Sequence, residues 1–126
     1  MKNLNSVLIE GNLTHDPESK MLESGNELCK FSLACNRSYK AQDQVREEVS
    51  YFPVEVWGDR AQPCMRYLQK GKRVRVIGRL KQDRWKTEEG MHREKTTIVA
   101  EHVEFGPSGK KHADLEKAVK EAASDF

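Results

Sequence analysis

The sequence predicts a mainly β protein: a five-stranded barrel with one short helix between its third and fourth strands, followed by a short charged tail. Three observations lead there. Apolar residues recur with a period of two in successive stretches, one stretch alone carries helical spacing inside the domain, and turn-forming residues punctuate the intervals. At 126 residues, 37% hydrophobic and 33% charged, the chain suits one water-facing domain with a modest core. No apolar run approaches the ~20 residues of a membrane-spanning helix. The first residues, Met1-Lys2-Asn3-Leu4-Asn5, lack the apolar stretch of a secretory signal and the Arg/Ser-rich character of a transit peptide, so a cytoplasmic location is expected.

The first strand runs from Asn5 to Leu13, with Val7 and Ile9 on one face. Asp16-Pro17 supplies a turn, because Pro17 has no N–H for a ladder, and Ser24-Gly25-Asn26 supplies another. Cys29, Phe31, Leu33 and Cys35 then alternate along a half-buried strand. The polar stretch from Ser38 to Glu48 reads as a mobile loop or hairpin tip. In the third strand Phe52, Val54 and Val56 share one face, and Tyr51, Glu55 and Trp57 the other. Pro53 marks that strand as an edge or a bulge.

Asp59-Arg60-Ala61-Gln62 offers a capping box for the helix, whose stripe is Ala61, Cys64, Met65 and Leu68. Lys70-Gly71 should stop it. In the fourth strand Val74, Val76 and Leu80 are expected to point inward around Gly78, where a barrel strand must bend; Arg73, Arg75, Arg79 and Lys81 point outward. A charged hairpin at Glu88-Glu89-Gly90 leads to a last strand from Thr96 to Phe105. Five strands with a helix between the third and fourth are what an OB-fold barrel requires. Gly106-Pro107-Ser108-Gly109 breaks regular structure, dividing a barrel domain over 1–106 from a tail over 107–126 that is flexible or partly helical.

The face opposite the core carries the functional signal. Tyr51 and Trp57 are large aromatics on the polar side of their strand, and Trp85 lies between Arg84 and Lys86 after a run of outward cations. Exposed aromatics beside cations suit unpaired nucleic acid. Each base offers a π-face worth ~1–3 kcal/mol when stacked on an aromatic, and cations gain from releasing the counterions of the phosphates. A second small core or an oligomer interface would also use such aromatics. The net charge of +2 is neutral on the question.

Catalysis has little support. His15, His92, His102 and His112 are scattered, acidic residues are interleaved with basic ones, and no glycine-rich phosphate loop opens a helix. Cys29, Cys35 and Cys64 are an odd number without ligand spacing, so they are expected to be reduced, buried thiols. No metal, cofactor or enzymatic activity is expected.

Val7-Leu8-Ile9-Glu10-Gly11-Asn12-Leu13 followed by Asp16-Pro17-Glu18 resembles the opening strand and turn of the bacterial single-stranded DNA-binding proteins. Tyr67-Leu68-Gln69-Lys70-Gly71 with Val74 to Leu80 resembles that family's helix end and next strand, and Trp85, Gly90, Arg93 and Thr96-Thr97 resemble its following hairpin. The resemblance spans about residues 4 to 105. It implies an OB-fold assembled as a homotetramer, binding single-stranded DNA without regard to sequence in replication, recombination and repair. It also implies a cytoplasmic, nucleoid-associated protein.

By position the resemblance makes Tyr39, Tyr51, Trp57 and Trp85 the base-stacking residues. Tyr39 and Tyr51 stand where the family often has tryptophan, which reduces stacking area and bears on affinity. The phosphate-binding candidates are Arg37, Lys72, Arg73, Arg75, Arg79, Lys81, Arg84 and Lys86. Family tails commonly end in an acidic tip with a final Pro-Phe that partner enzymes recognise. Here the tail ends Ser124-Asp125-Phe126, keeping the phenylalanine without the proline or the acidic cluster. Asp125 and Phe126 are thus the candidate contacts for replication and repair enzymes. Ile77 and the strand around Leu4, Ser6 and Leu8 are candidate subunit contacts. Two alternatives within the same fold are a replication-restart protein acting mainly as a protein bridge and an RNA-binding accessory protein.

Overall fold

The computed structural model describes residues 2–106. The expectations for the tail, including the partner-binding role of Asp125 and Phe126, lie outside the described residues. Strand β1 is Val7–Leu13, β2 Glu18–Met21, β3 Glu27–Ala41, β4 Gln44–Trp57, β5 Arg73–Lys86 and β6 His92–Phe105. A one-turn 3-10 helix, Gly58–Arg60, leads into helix α1, Ala61–Tyr67. The sheet order is β1-β5-β6-β4-β3-β2, and β1 also pairs with β3 through Asn12↔Ala34 and Leu13↔Leu33. That second pairing closes β1, β3, β4, β5 and β6 into the five-stranded barrel with α1 between its third and fourth strands. All pairings are antiparallel except β4–β6, which is parallel.

Period-two alternation builds the core. Cys29, Phe31 and Leu33 of β3, Val54 and Val56 of β4, Val74 and Val76 of β5 and Ile98 and Ala100 of β6 are all buried inside the barrel. Each Val, Leu or Ile so buried stabilises by about 1.5–3 kcal/mol. The helix adds Ala61, Cys64 and Leu68 to the same cluster, with Met65 packed against it, the stripe its spacing predicts. Interaction with the Cys29 thiol and burial push the Cys64 thiol up, so it stays protonated inside the core.

Several details depart from the sequence reading. An additional short strand, β2, pairs with β3 from Glu18↔Lys30 to Met21↔Glu27, and its residues are all exposed, so no hydrophobic alternation announces it. Of the two readings of residues 38–48, the hairpin tip holds and the loop does not: β3 and β4 continue as one ribbon to Ala41↔Gln44. Gln42 and Asp43 turn it with positive φ values of 52° and 61°, the two-residue geometry that matches strand twist. The capping box does not form. Residues 58–60 wind as 3-10, Arg60 becomes the helix N-cap, and that cap has no side-chain hydrogen bond. The helix stops at Tyr67 because Leu68 turns extended; Gly71, at φ 87°, serves the later turn and donates its N–H to the Leu13 carbonyl.

Leu80 shares the inward face of Ile98 yet is 47% exposed, while Ile77 is buried. The ladder of β5 against β6 shifts register between Ile77 and Gly78, and the pairing of β5 with β1 ends at Gly78. Glycine is required there. A Cβ on Gly78 would collide with the carbonyl of Val99, and one on Gly11 with the carbonyl of Ala34.

Gly78→Ala is therefore expected to destabilise the barrel by about 2–3 kcal/mol, lowering Tm by roughly 10 °C or more for a domain of this size. Thermal and urea denaturation followed by circular dichroism measure this. A Tm equal to that of the parent would mean that the crossing relaxes at no cost.

Candidate nucleic-acid interface

Residues directly opposed in a ladder share a face of the sheet. One row crosses the barrel wall as Lys30↔Glu55↔Val99↔Arg79, from β3 through β4 and β6 to β5. Parallel rows place Ala34↔Tyr51 and Leu28↔Trp57 on the same outer face, with Lys81↔Thr97 and Trp85↔Arg93 along the β5–β6 ribbon. The fold thus brings Tyr51, Trp57 and Trp85 to one side together with Lys30, Arg79, Lys81, Arg93 and Lys95. Tyr51 and Trp85 are exposed, and Trp57 is half-buried. Trp57 is held edge-on: its Nε1–H donates to Glu55 Oε2 at 3.2 Å, and Lys81 Nζ lies 5.7 Å from its ring centroid.

Tyr39 does not join them. It opposes Arg46, and counting along β3 puts it with Leu33 and Cys35, on the other face of the β3–β4 ribbon from Tyr51. Arg37 shares that face and pairs with Glu48 at 3.9 Å. Arg84 and Lys86 alternate with Trp85 and point to the opposite face of their ribbon; Arg84 pairs with Glu94 at 3.7 Å. Lys72 lies away from the aromatics, lining a cavity of about 200 Å³ with Tyr67 and Phe105. The sequence-predicted residues thus divide into a co-facial set and an outlying set.

Carboxylates already hold most of the predicted cations. Arg79 lies 3.8 Å from Glu101 and Lys81 3.5 Å from Asp83. These exposed pairs are worth ~0–1 kcal/mol, so a phosphate can displace the carboxylate. Arg73 and Arg75 differ. Both grip Glu10 across the β1–β5 ladder: Arg73 Nε donates to Oε1 at 2.7 Å, and Arg75 donates to Oε2 from Nε at 2.9 Å and from Nη2 at 2.7 Å. Burial opposes ionisation of Glu10, but the hydrogen bonds from Arg75 and Arg73 outweigh it and hold the carboxyl below its ordinary value.

Sequence reasoning misses Lys30 and Lys95, which have no carboxylate within ion-pair distance among the described residues. Their signal is parity alone: Lys30 alternates with Cys29 and Phe31, and Lys95 has the opposite parity to Ile98 and Ala100, so both face outward. Two open depressions lie near these residues. One, of about 620 Å³, is at the end of the β5–β6 ribbon, lined by Trp85 and Arg93 of this face and by Arg84, Lys86, His92 and Glu94 of the other. The other, of about 330 Å³, lies between the β1–β2 turn and the sheet, with Lys30, Glu55, Lys95 and Thr97 in its wall. The turn is tied in place by Lys70 N–H donating to Asp16 Oδ1 at 2.8 Å. Among the described residues there is no cluster of His, Cys, Asp or Glu that could hold a metal ion, and no helix long and apolar enough to cross a membrane.

Comparison with known proteins adds an independent line. The model of the single-strand binding protein family matches residues 4–106. The single-stranded DNA-binding protein of Treponema pallidum is 42% identical over 105 residues, covering 83% of this chain and 59% of that protein. That of Helicobacter hepaticus is 39% identical over 109 residues, covering 83% and 64%. Single-stranded DNA-binding protein 2 of Clostridium acetobutylicum is 36% identical, covering 85% and 80%. The chain therefore spans less than two thirds of the first two relatives. A solved Plasmodium falciparum SSB in complex with ssDNA matches in fold, with a TM-score of 0.79 at 24% identity over 85% of this chain and 98% of that one.

The Glu10 clamp generates a pH test. Its folded value is depressed, so its contribution is present above the ordinary carboxylate range and is lost as pH falls through the folded value. Glu10→Gln is expected to destabilise by about 1 kcal/mol at neutral pH, with the gap to wild type closing in acid. Urea denaturation across pH measures it. A gap independent of pH would assign the clamp's contribution to shape instead of charge.

Proposed function

The chain belongs to the single-strand binding protein family, and on that premise we propose that it binds and protects single-stranded DNA, largely without reading sequence, in replication, recombination and repair. The observation that carries this reading is the shared face of Tyr51, Trp57 and Trp85 with Arg79, Lys81, Arg93 and Lys95. Unstacked bases lie on the aromatics, and the cations follow the phosphates. A duplex gains nothing from such a platform, since its bases already stack on one another. Tyr39 and Arg37, on the reverse of the β3–β4 ribbon, meet a strand that continues around that arm. Arg73 and Arg75 serve the Glu10 clamp first. The protein acts as a binder and not as a catalyst.

The proposal extends to assembly as a homotetramer. Leu4 and Leu8 are exposed on the β1 side, apolar positions suited to a second copy, whereas Ile77, opposite Leu8, is already buried within the chain. Recruitment of replication and repair enzymes through Asp125 and Phe126, and a cytoplasmic, nucleoid-associated location, complete this reading.

Titration with oligo-dT is expected to quench tryptophan fluorescence deeply, and duplex DNA hardly at all. Trp85→Ala should weaken binding by about 5- to 100-fold, the worth of one stacked base at ~1–3 kcal/mol. Lys95→Gln should lower the log–log salt slope by about 0.7. Equal quenching by duplex, or an unchanged affinity in Trp85→Ala, would refute the stacking platform.

A further inference from the structure

Stacking and phosphate neutralisation leave Glu55 unexplained. A carboxylate in the middle of a surface built for a polyanion repels it, and this one is nearly buried, at 8% exposure. Glu55 Oε2 accepts from Trp57 Nε1. Glu55 Oε1 receives no hydrogen bond from the described residues, yet the only buried side-chain polar atom without a partner among them is Thr97 Oγ1. Oε1 therefore keeps an open path, and Glu55 lines the 330 Å³ cleft. Lys30 is its direct cross-strand neighbour. Opposite charges so placed ordinarily attract, but the Lys30 ammonium has no carboxylate within ion-pair distance among the described residues. The two side chains stand beside the cleft as a separate donor and acceptor.

Resting on the reading that this face binds single-stranded DNA, we propose that the cleft is a base-edge subsite, in which Glu55 and Lys30 favour an amino-bearing base, cytosine in particular, over thymine. Cytosine's N4 amino group donates to Glu55 Oε1, the acceptor role that carboxylates play toward that base. Its N3 and O2 accept from Lys30. Thymine offers only N3–H, flanked by two carbonyl oxygens whose partial negative charge faces the carboxylate. Asp16, Glu18 and Glu55 line the cleft together with Lys30 and Lys95, so it offers acceptors and donors side by side to a base edge. The cleft volume, at the small end of the ~300–1,000 Å³ typical of ligand pockets, suits one base. The result is a bias at one position along a strand otherwise bound by stacking.

The test compares oligo-dC with oligo-dT on the full chain by fluorescence titration, for wild type, Glu55→Gln and Glu55→Val. The wild-type ratio of the two affinities cancels any general difference between the homopolymers. Both variants should shift that ratio toward dT by about tenfold, the worth of one charge-assisted hydrogen bond. Valine suits a nearly buried strand position, so at least one variant should fold. Weakening of both oligomers alike in both variants would show that Glu55 only positions Trp57 and would overturn the subsite. An unchanged ratio with unchanged affinity would overturn it equally. If neither oligomer quenches the wild-type chain, the single-strand reading fails, and the subsite with it.

Discussion

Strand β1 pairs along Val7 to Asn12 with β5 and at Asn12 and Leu13 with β3, so a single strand turns an open sheet into a barrel. Everything on the outer wall depends on that closure. It fixes the angle between the β3–β4 and β5–β6 ribbons, and hence the distance between the aromatics that each ribbon carries. Closure is possible because two positions lack a side chain: at Gly11 and Gly78 the neighbouring backbone comes as near as a carbonyl can. The Glu10 clamp sits beside the first of these, pinning β1 to β5 with two guanidinium groups at the place where the strand must bend away.

Charge on this molecule is distributed by partnership more than by count. A chain with a formal net charge of +2 presents cations on its outer wall, but those on the β1 side are engaged by Glu10, while those near the aromatics have exposed, weak partners or none. That division separates side chains that hold the fold from side chains free to meet a ligand. No reading of strand parity distinguishes Arg75 from Arg79. The difference lies in a glutamate sixty-odd positions away that the barrel brings alongside.

How much was legible in the sequence follows from the same physics. Alternation identified Phe31, Leu33, Val54, Val56, Val74 and Val76 as core, and helical spacing identified Ala61, Cys64 and Leu68, because burial imposes those periods directly. The sequence left residues 38–48 open between loop and hairpin tip, since both faces of the ribbon are solvated and a ladder of backbone hydrogen bonds needs no apolar pattern. Leu80 has the inward parity expected of it, but alternation cannot show that β1 stops pairing at Gly78 and leaves Leu80 exposed. At the site, parity alone separates Tyr39 from Tyr51, yet family position groups them. Glu55, outward by parity, is nonetheless nearly buried, with Oε2 taken by the Trp57 indole N–H.

The parallel join between β4 and β6 involves only Val54↔Ile98 and Glu55↔Val99. Beyond it the β5–β6 ribbon runs on to Lys86↔His92, and the β3–β4 ribbon, once past the β1 pairing at Leu33 and Ala34, runs on to Ala41↔Gln44, each of these outer stretches paired only within itself among the described residues. Mechanically the domain is a stiff ring with two cantilevers. A two-stranded ribbon without a third strand bends readily, so the outer rings, Trp85 above all, sit on springs, while Trp57 sits on the anvil. Such a scaffold can follow a polymer of irregular contour at its edges and still grip it firmly at the centre.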